Sequence, residues 1–400
     1  MDPMESSYLA QEYGTPAFVF DEEAFRARMA NVSEIFGENV RLCFAVKANP
    51  FFIPAAAQAG ARLEVCSPGE LDICRELDVD PAAIVFSGVN KTPATVYDAV
   101  EFGVGVLTAE SKKHVALIEA EGAARGKTLD VLLRLNAGSQ FGMSRDDLLE
   151  IIANRAQFPH VNVVGIHYFK GTQRLKLKHQ LKELAMLREL FDVVERDFGF
   201  TLERLEYGPG LGVPQFADDD FGDTLAPARE IAETLQDIAT RVDLTVEMGR
   251  FFAAECGTYL TAVNDVKSCE GMNYCIVDGG INHLTYLGGM MGMKRPVVDH
   301  LRYRGQGPES EPGSSADWCI AGSLCTTNDV LVRSIELTDL REGDVLAFGN
   351  AGAYAVTEGV ALLLSRTLPR VIMREAKGAY ALGRDFTETS PLNTLQRGCR

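Results

Sequence analysis

Four hundred residues with 46% hydrophobic side chains supply material for two domains, or for one large barrel with an appendage. A formal net charge of -17 argues against nucleic acid or an anionic membrane surface as partner, because phosphate recognition needs clustered Lys and Arg. The opening MDPMESSYLAQEYG lacks the basic start and apolar run of a secretory signal, no apolar stretch is long enough to span a bilayer, and nine scattered cysteines without a CxxC pair fit free thiols in a reducing cytoplasm.

In chain order, residues 1–20 hold YGTPAFVFD, a short strand expected to pack with a β domain further on. Eight apolar runs follow: VRLCFAV (40–46), ARLEV (61–65), AIVFS (83–87), VGVLT (104–108), DVLLRLN (130–136), VVGIHYF (163–169), RLEYG (204–208) and LTVEM (244–248). Segments of helical period, such as SPGELDICREL and KLKHQLKELAMLRELFDVVERD, lie between them. This alternation predicts an α/β fold, a (β/α)8 TIM barrel over residues 21–256, in preference to a doubly wound open sheet. From Gly257 strand-like runs succeed one another without helices, which predicts an antiparallel β domain over 257–400. Within it GQGPESEPGSSAD (305–317) reads as a mobile loop.

Barrels carry their chemistry at the C-terminal ends of the strands, so polar residues there are the candidates. The first strand ends in Lys47, which is costly to bury without compensation. The fifth carries Arg134, and the sixth carries His167 with Gly171-Thr172-Gln173 just beyond. The seventh opens into YGPGLG (207–212), and the eighth ends in Glu247-Met248-Gly249-Arg250. An amine, a glycine turn offering backbone N–H groups, guanidinium groups and a carboxylate suit pyridoxal phosphate. The lysine forms a Schiff base with the aldehyde, the turn and Arg250 hold phosphate, and Glu247 keeps the pyridine nitrogen protonated. His167 reads equally as a core histidine, and Arg134 equally as a structural partner of a barrel carboxylate. His114 and His179, on charged helical stretches, read as solvated, and no His or Cys pair has metal-ligand spacing.

On FAVKANP, YGPGLG, EMGR, VDGGIN (277–282), SLCTTND (323–329) and GNAGAYA (349–355), taken in order, the chain resembles the fold-type III, alanine-racemase-like PLP decarboxylases that include ornithine, arginine and diaminopimelate decarboxylases. The resemblance implies that Lys47 binds PLP, that Gly208, Gly210, Arg250, Thr172 and Tyr354 hold its phosphate, and that Glu247 faces the pyridine nitrogen. Arg134 and His167 fall among the implied cofactor contacts, and Glu64 stands where the family usually has Asp behind the cofactor. Cys325 would protonate the product carbanion from the partner subunit of a head-to-tail homodimer, with Thr326 and Asp329 facing substrate. Three departures stand out. Phe169 occupies the place of a histidine that stacks on the ring, and Pro209 removes an N–H from the glycine turn. Thr326 follows Cys325 where relatives acting on ornithine or diaminopimelate carry an acid that pairs the substrate's distal ammonium. The combination of HYFKGTQ with LCTTND is similar to a natural-product subgroup that includes enzymes acting on glutamate tethered to a carrier protein.

The resemblance thus implies a cytoplasmic decarboxylase of an L-amino acid or a carrier-bound aminoacyl group. Two rivals are a racemase of the same fold and a non-catalytic PLP-binding regulator. The racemase version usually places arginine at the pyridine nitrogen, so Glu247 favours decarboxylation.

Overall fold

The computed structural model describes residues 2–286, 291–302 and 314–395. It divides by contacts into a barrel unit, Arg26–Val213 with Gly222–Phe252, and a β unit, Met1–Phe25 with Pro214–Phe221 and Ala253–Arg400. The division is discontinuous in sequence, unlike the contiguous spans read from the sequence. Pro214–Phe221 joins the β unit because Phe216 bridges to Pro296 and packs its ring 5.8 Å from that of Tyr286.

The first strand, β1 (Ala17–Asp21), belongs to the β unit, and the next eight close a parallel barrel. They are β2 (Val40–Ala45), β3 (Arg62–Val65), β4 (Ile84–Phe86), β5 (Val106–Ala109), β6 (Leu129–Arg134), β7 (Val161–Phe169), β8 (Arg204–Gly208) and β9 (Asp243–Met248). Each coincides with one of the eight apolar runs. Their near-continuous burial is what a parallel sheet covered on both faces requires. Val85, Val106, Leu132 and Val164, from four successive strands, pack as one aliphatic cluster. The helices after β3, β4, β5 and β6 start at Ser67, Thr92, Ser111 and Ser144, whose side chains accept backbone N–H groups of the first turn.

The β unit carries β10 (Gly257–Cys269), β11 (Met272–Val277), β12 (Val298–Leu301), β13 (Ser315–Ala321), β14 (Val330–Thr338), β15 (Val345–Phe348), β16 (Arg370–Arg374) and β17 (Tyr380–Arg384). With β1 they form a nine-stranded sheet. Most pairings are antiparallel, as expected, but β1 runs parallel to β16 and β11 parallel to β13, since long connections separate those partners in sequence. An unpredicted helix, Pro3–Tyr13, precedes β1, capped by Asp2 with Pro3 in its first turn. Its Leu9 and Ala10 join Val19, Leu260, Ala347 and Ile372 in the core of this unit. Of the expected loop 305–317, residues 305–313 lie outside the described residues, and Ser315–Asp317 open β13 instead.

Candidate functional site

Lys47 sits in a single 3₁₀ turn, Val46–Ala48, directly after β2. Its Nζ donates to Glu64 Oε2, lies 3.5 Å from Cys66 Sγ and 3.8 Å from Glu247 Oε1, and the side chain keeps 38% of its surface exposed. The amine is thus compensated by two buried carboxylates while still reaching solvent.

Strand register assembles the rest. Arg134 on β6 pairs with His167 on β7, His167 with Glu206 on β8, and Glu206 with Thr245 on β9, while Glu247 stands beside Cys43 of β2. His167 Nε2 lies 3.0 Å from Glu247 Oε2. Burial, then the Arg134 charge, lowers the His167 pKa to about 3, so the ring is neutral and donates from Nε2 to the carboxylate. Its Nδ1 is left as a buried acceptor without a partner. Glu206 is fully buried with neither oxygen hydrogen-bonded, and burial, then Glu247 and Glu64, push its carboxyl well above the usual range. It therefore stays protonated beside Glu247. Sequence reasoning missed Glu206, which reads there as one more strand residue before the glycines; only register with His167 gives it meaning. His167, Glu206 and Glu247 bring one ligand-type atom each within 4.8 Å of one another, so carboxylates dispersed in sequence are gathered in space. The Glu206 carboxyl of this cluster is neutral, and Lys47 Nζ lies 3.8 Å from Glu247 Oε1.

Arg134 does not join this cluster through its guanidinium. Nη1 bonds Glu110 Oε1 at 2.8 Å and the group lies over the Phe141 ring, while Glu110 Oε2 accepts the Gly142 N–H. The structural alternative for Arg134 is the one its bonds support. His114 corrects an expectation: it is buried, its Nδ1 accepts the Glu110 N–H at 3.2 Å, and burial lowers its pKa to about 4. His179 is exposed.

The loops after β7 and β8 are fastened to each other. Arg174 N–H donates to Gly210 O, and the Gln173 amide both donates to Val213 O and accepts Val213 N–H. Gly210 holds φ +59°, and a Cβ there would lie 1.7 Å from Gly171 O. A Cβ on Gly208 would lie 2.5 Å from the Phe169 ring. Thr172 is exposed on this pair of loops, and Arg250 is buried in the turn that follows β9.

The remaining predicted residues belong to the β unit. Cys325 is an exposed free thiol on the loop between β13 and β14, with Thr326 partly exposed beside it. Asp329 is buried, and its two oxygens accept the N–H groups of Ile281 at 2.8 Å and Leu324 at 2.7 Å. Gly280 and Gly322 lie so close to that carboxylate that a Cβ on either would collide with it. Asp329 therefore holds the cysteine loop in shape through these two backbone bonds. Tyr354 adopts φ +65°, an uncommon conformation for an aromatic residue, with its carbonyl accepting the N–H groups of Thr357 and Glu358.

These residues fit pyridoxal phosphate: the amine stands near a carboxylate fixed by a neutral imidazole, beside a turn that tolerates no Cβ at Gly210. The pyridoxal binding domain of the pyridoxal-dependent decarboxylases matches residues 22–254. The chain is 30% identical over 369 residues to the diaminopimelate decarboxylase of Pseudomonas aeruginosa, covering 87% of this chain and 85% of that one. It is 27% identical over 405 residues to the L-glutamyl-[BtrI acyl-carrier protein] decarboxylase of Niallia circulans, covering 96% and 94%. Among solved structures, diaminopimelate decarboxylase from M. jannaschii in complex with L-lysine superposes with a TM-score of 0.83 at 25% identity, covering 95% of this chain and 92% of that one. The barrel, the amine and carboxylate at its strand ends, and these similarities place the chain in one family: it belongs to the pyridoxal-dependent decarboxylases.

Proposed function

We propose that this enzyme removes the α-carboxylate of an L-amino acid whose distal end carries no ammonium, with a carrier-bound aminoacyl group such as glutamyl as the favoured form. The observation that carries the reading is the chemistry of the cysteine loop. Thr326 offers a hydroxyl and no charge, and the Asp329 carboxylate accepts the backbone N–H groups of Ile281 and Leu324. A cation is bonded to this loop as well: Arg366 Nη2 donates to Ser323 O at 2.7 Å. A cation beside the loop suits a carboxylate or a neutral acyl arm and disfavours a second ammonium.

Pyridoxal phosphate, when bound, supplies an aldehyde that joins an amine and a ring that takes up the electron pair of the breaking Cα–carboxylate bond. Lys47, whose Nζ lies close to Glu64 and Glu247, would be the amine that exchanges with substrate. Glu247, its Oε2 fixed by His167, would hold a proton on the pyridine nitrogen. Phe169 would offer an aromatic face to the ring, and Gly208, Gly210, Thr172, Arg250 and Tyr354 would hold phosphate. Cys325 delivers the proton that replaces carbon dioxide at Cα, acting from the partner subunit of a homodimer, which its exposed thiol supports. Mixing Lys47→Ala with Cys325→Ala subunits tests that sharing: partial recovery of activity supports it, and none speaks against it.

The deciding experiment measures carbon dioxide release across free amino acids and a glutamyl-loaded carrier protein, with product chirality followed in parallel. Release from glutamyl-carrier and none from ornithine or diaminopimelate is the expected result. Release from either diamine substrate would overturn the reading, and inversion at Cα without carbon dioxide would establish the racemase.

A further inference from the structure

The net charge of -17 conceals one segment of opposite sign. Between Lys170 and Lys182 the chain carries Lys170, Arg174, Lys176, Lys178 and Lys182, and no carboxylate. Arg174 is held in a two-pronged pair with Glu183. The other four are exposed lysines, and among the described residues none is in an ion pair. Leu175, 80% exposed, and Leu181, 38% exposed, stand between them as apolar side chains that reach solvent.

Two features give the cluster a purpose beyond solubility. It occupies the N-terminal end of the helix Leu177–Phe198, whose first turn holds no acidic residue. The helix dipole disfavours cations there, so the fold gains nothing from this placement. The segment also follows β7 directly, at the catalytic end of the barrel, and its Arg174 is hydrogen-bonded to Gly210 of the glycine turn.

We propose that Lys170, Lys176, Lys178 and Lys182, with Leu175 and Leu181, form the docking surface for the acidic face of a carrier protein that delivers its aminoacyl group to the barrel mouth. The proposal rests on the carrier-bound substrate inferred above and names the surface that receives it. Charge complementarity selects the occupant. An acidic partner is repelled by most of this chain, so a local basic patch both raises the encounter rate and fixes the approach to the mouth. The exposed leucines then supply the apolar contact that lysines alone lack.

The test uses cofactor-loaded enzyme and glutamyl-loaded acyl carrier protein, with glutamyl-pantetheine as the same acyl arm without the protein. Reversing three charges (Lys176→Glu, Lys178→Glu, Lys182→Glu) is expected to raise KM for the carrier substrate by about tenfold or more with kcat retained. It should also flatten the salt dependence of kcat/KM and leave kcat/KM for glutamyl-pantetheine within about twofold. The visible absorbance of bound cofactor in the triple variant guards against misfolding, and Lys→Gln replacements should give the same trend, more weakly. Wild-type turnover of the carrier substrate with an unchanged KM in both variant sets overturns the docking surface alone. Wild-type turnover of free amino acids with no activity on carrier substrate overturns the carrier-bound reading, and this surface with it.

Discussion

The barrel cluster and the cysteine loop solve opposite problems. In the barrel, ionisable side chains are buried against one another, and burial first, neighbouring charges second, keep His167 neutral and Glu206 protonated. In the β unit the Cys325 thiol stands in the open, and the buried Asp329 carboxylate of its loop accepts two backbone N–H groups. The first region fixes charge and the second fixes position. Substitutions should therefore alter cofactor binding and proton balance in the barrel, and reaction geometry in the loop.

The sharpest way to break this contrast is at Lys47. Lys47→Ala should abolish the visible absorbance of bound cofactor and lower turnover by roughly a thousandfold or more; retained absorbance would remove the amine from the chemistry. Cys325→Ala should keep that absorbance and lose about 10²–10⁴ in kcat, the usual span for a positioned proton donor. Full activity would take the thiol out of the mechanism.

Asp329→Ala tests position against charge. It strands two backbone donors, costing on the order of 2 kcal/mol, which a thermal melt reads, and should lower kcat with little change in cofactor affinity. A pure rise in KM would instead mark Asp329 as a substrate contact. Glu206→Gln is the smallest and most specific. Unfolded glutamate ionises above about pH 4.3, whereas folded Glu206 keeps its proton, so this residue costs stability increasingly as pH rises from there. The amide removes that dependence. Melting temperatures compared between pH 5 and 8 should shift in favour of the variant with rising pH, by about 1 °C for each kcal/mol recovered in a chain of this length.

How much of this was legible in sequence follows the same divide. Parallel strands announce themselves as apolar runs, and unusual residues at their ends, Lys47 and Glu247 among them, stand out against that background. Glu206 stayed hidden because its role depends on which residue of β7 lies beside it, information carried by hydrogen-bond register and not by composition. The Arg134–Glu110 pair and the burial of His114 are equally products of neighbouring strand ends. The helix Pro3–Tyr13 was readable in principle, from Asp2 as cap and Pro3 in the first turn. The parallel pairing of β1 with β16 was not, since some 350 residues separate the partners. Net charge misled in a different way. A total of -17 describes the average surface and says nothing of four lysines gathered on one rim.

The paired hydrogen bonds between Gln173 and Val213, with Arg174 on Gly210, have a kinetic corollary. Two loops zipped in this manner open together or not at all, so the amides of Arg174 and Val213 should exchange with deuterium at one shared rate, and Gln173→Ala should speed both.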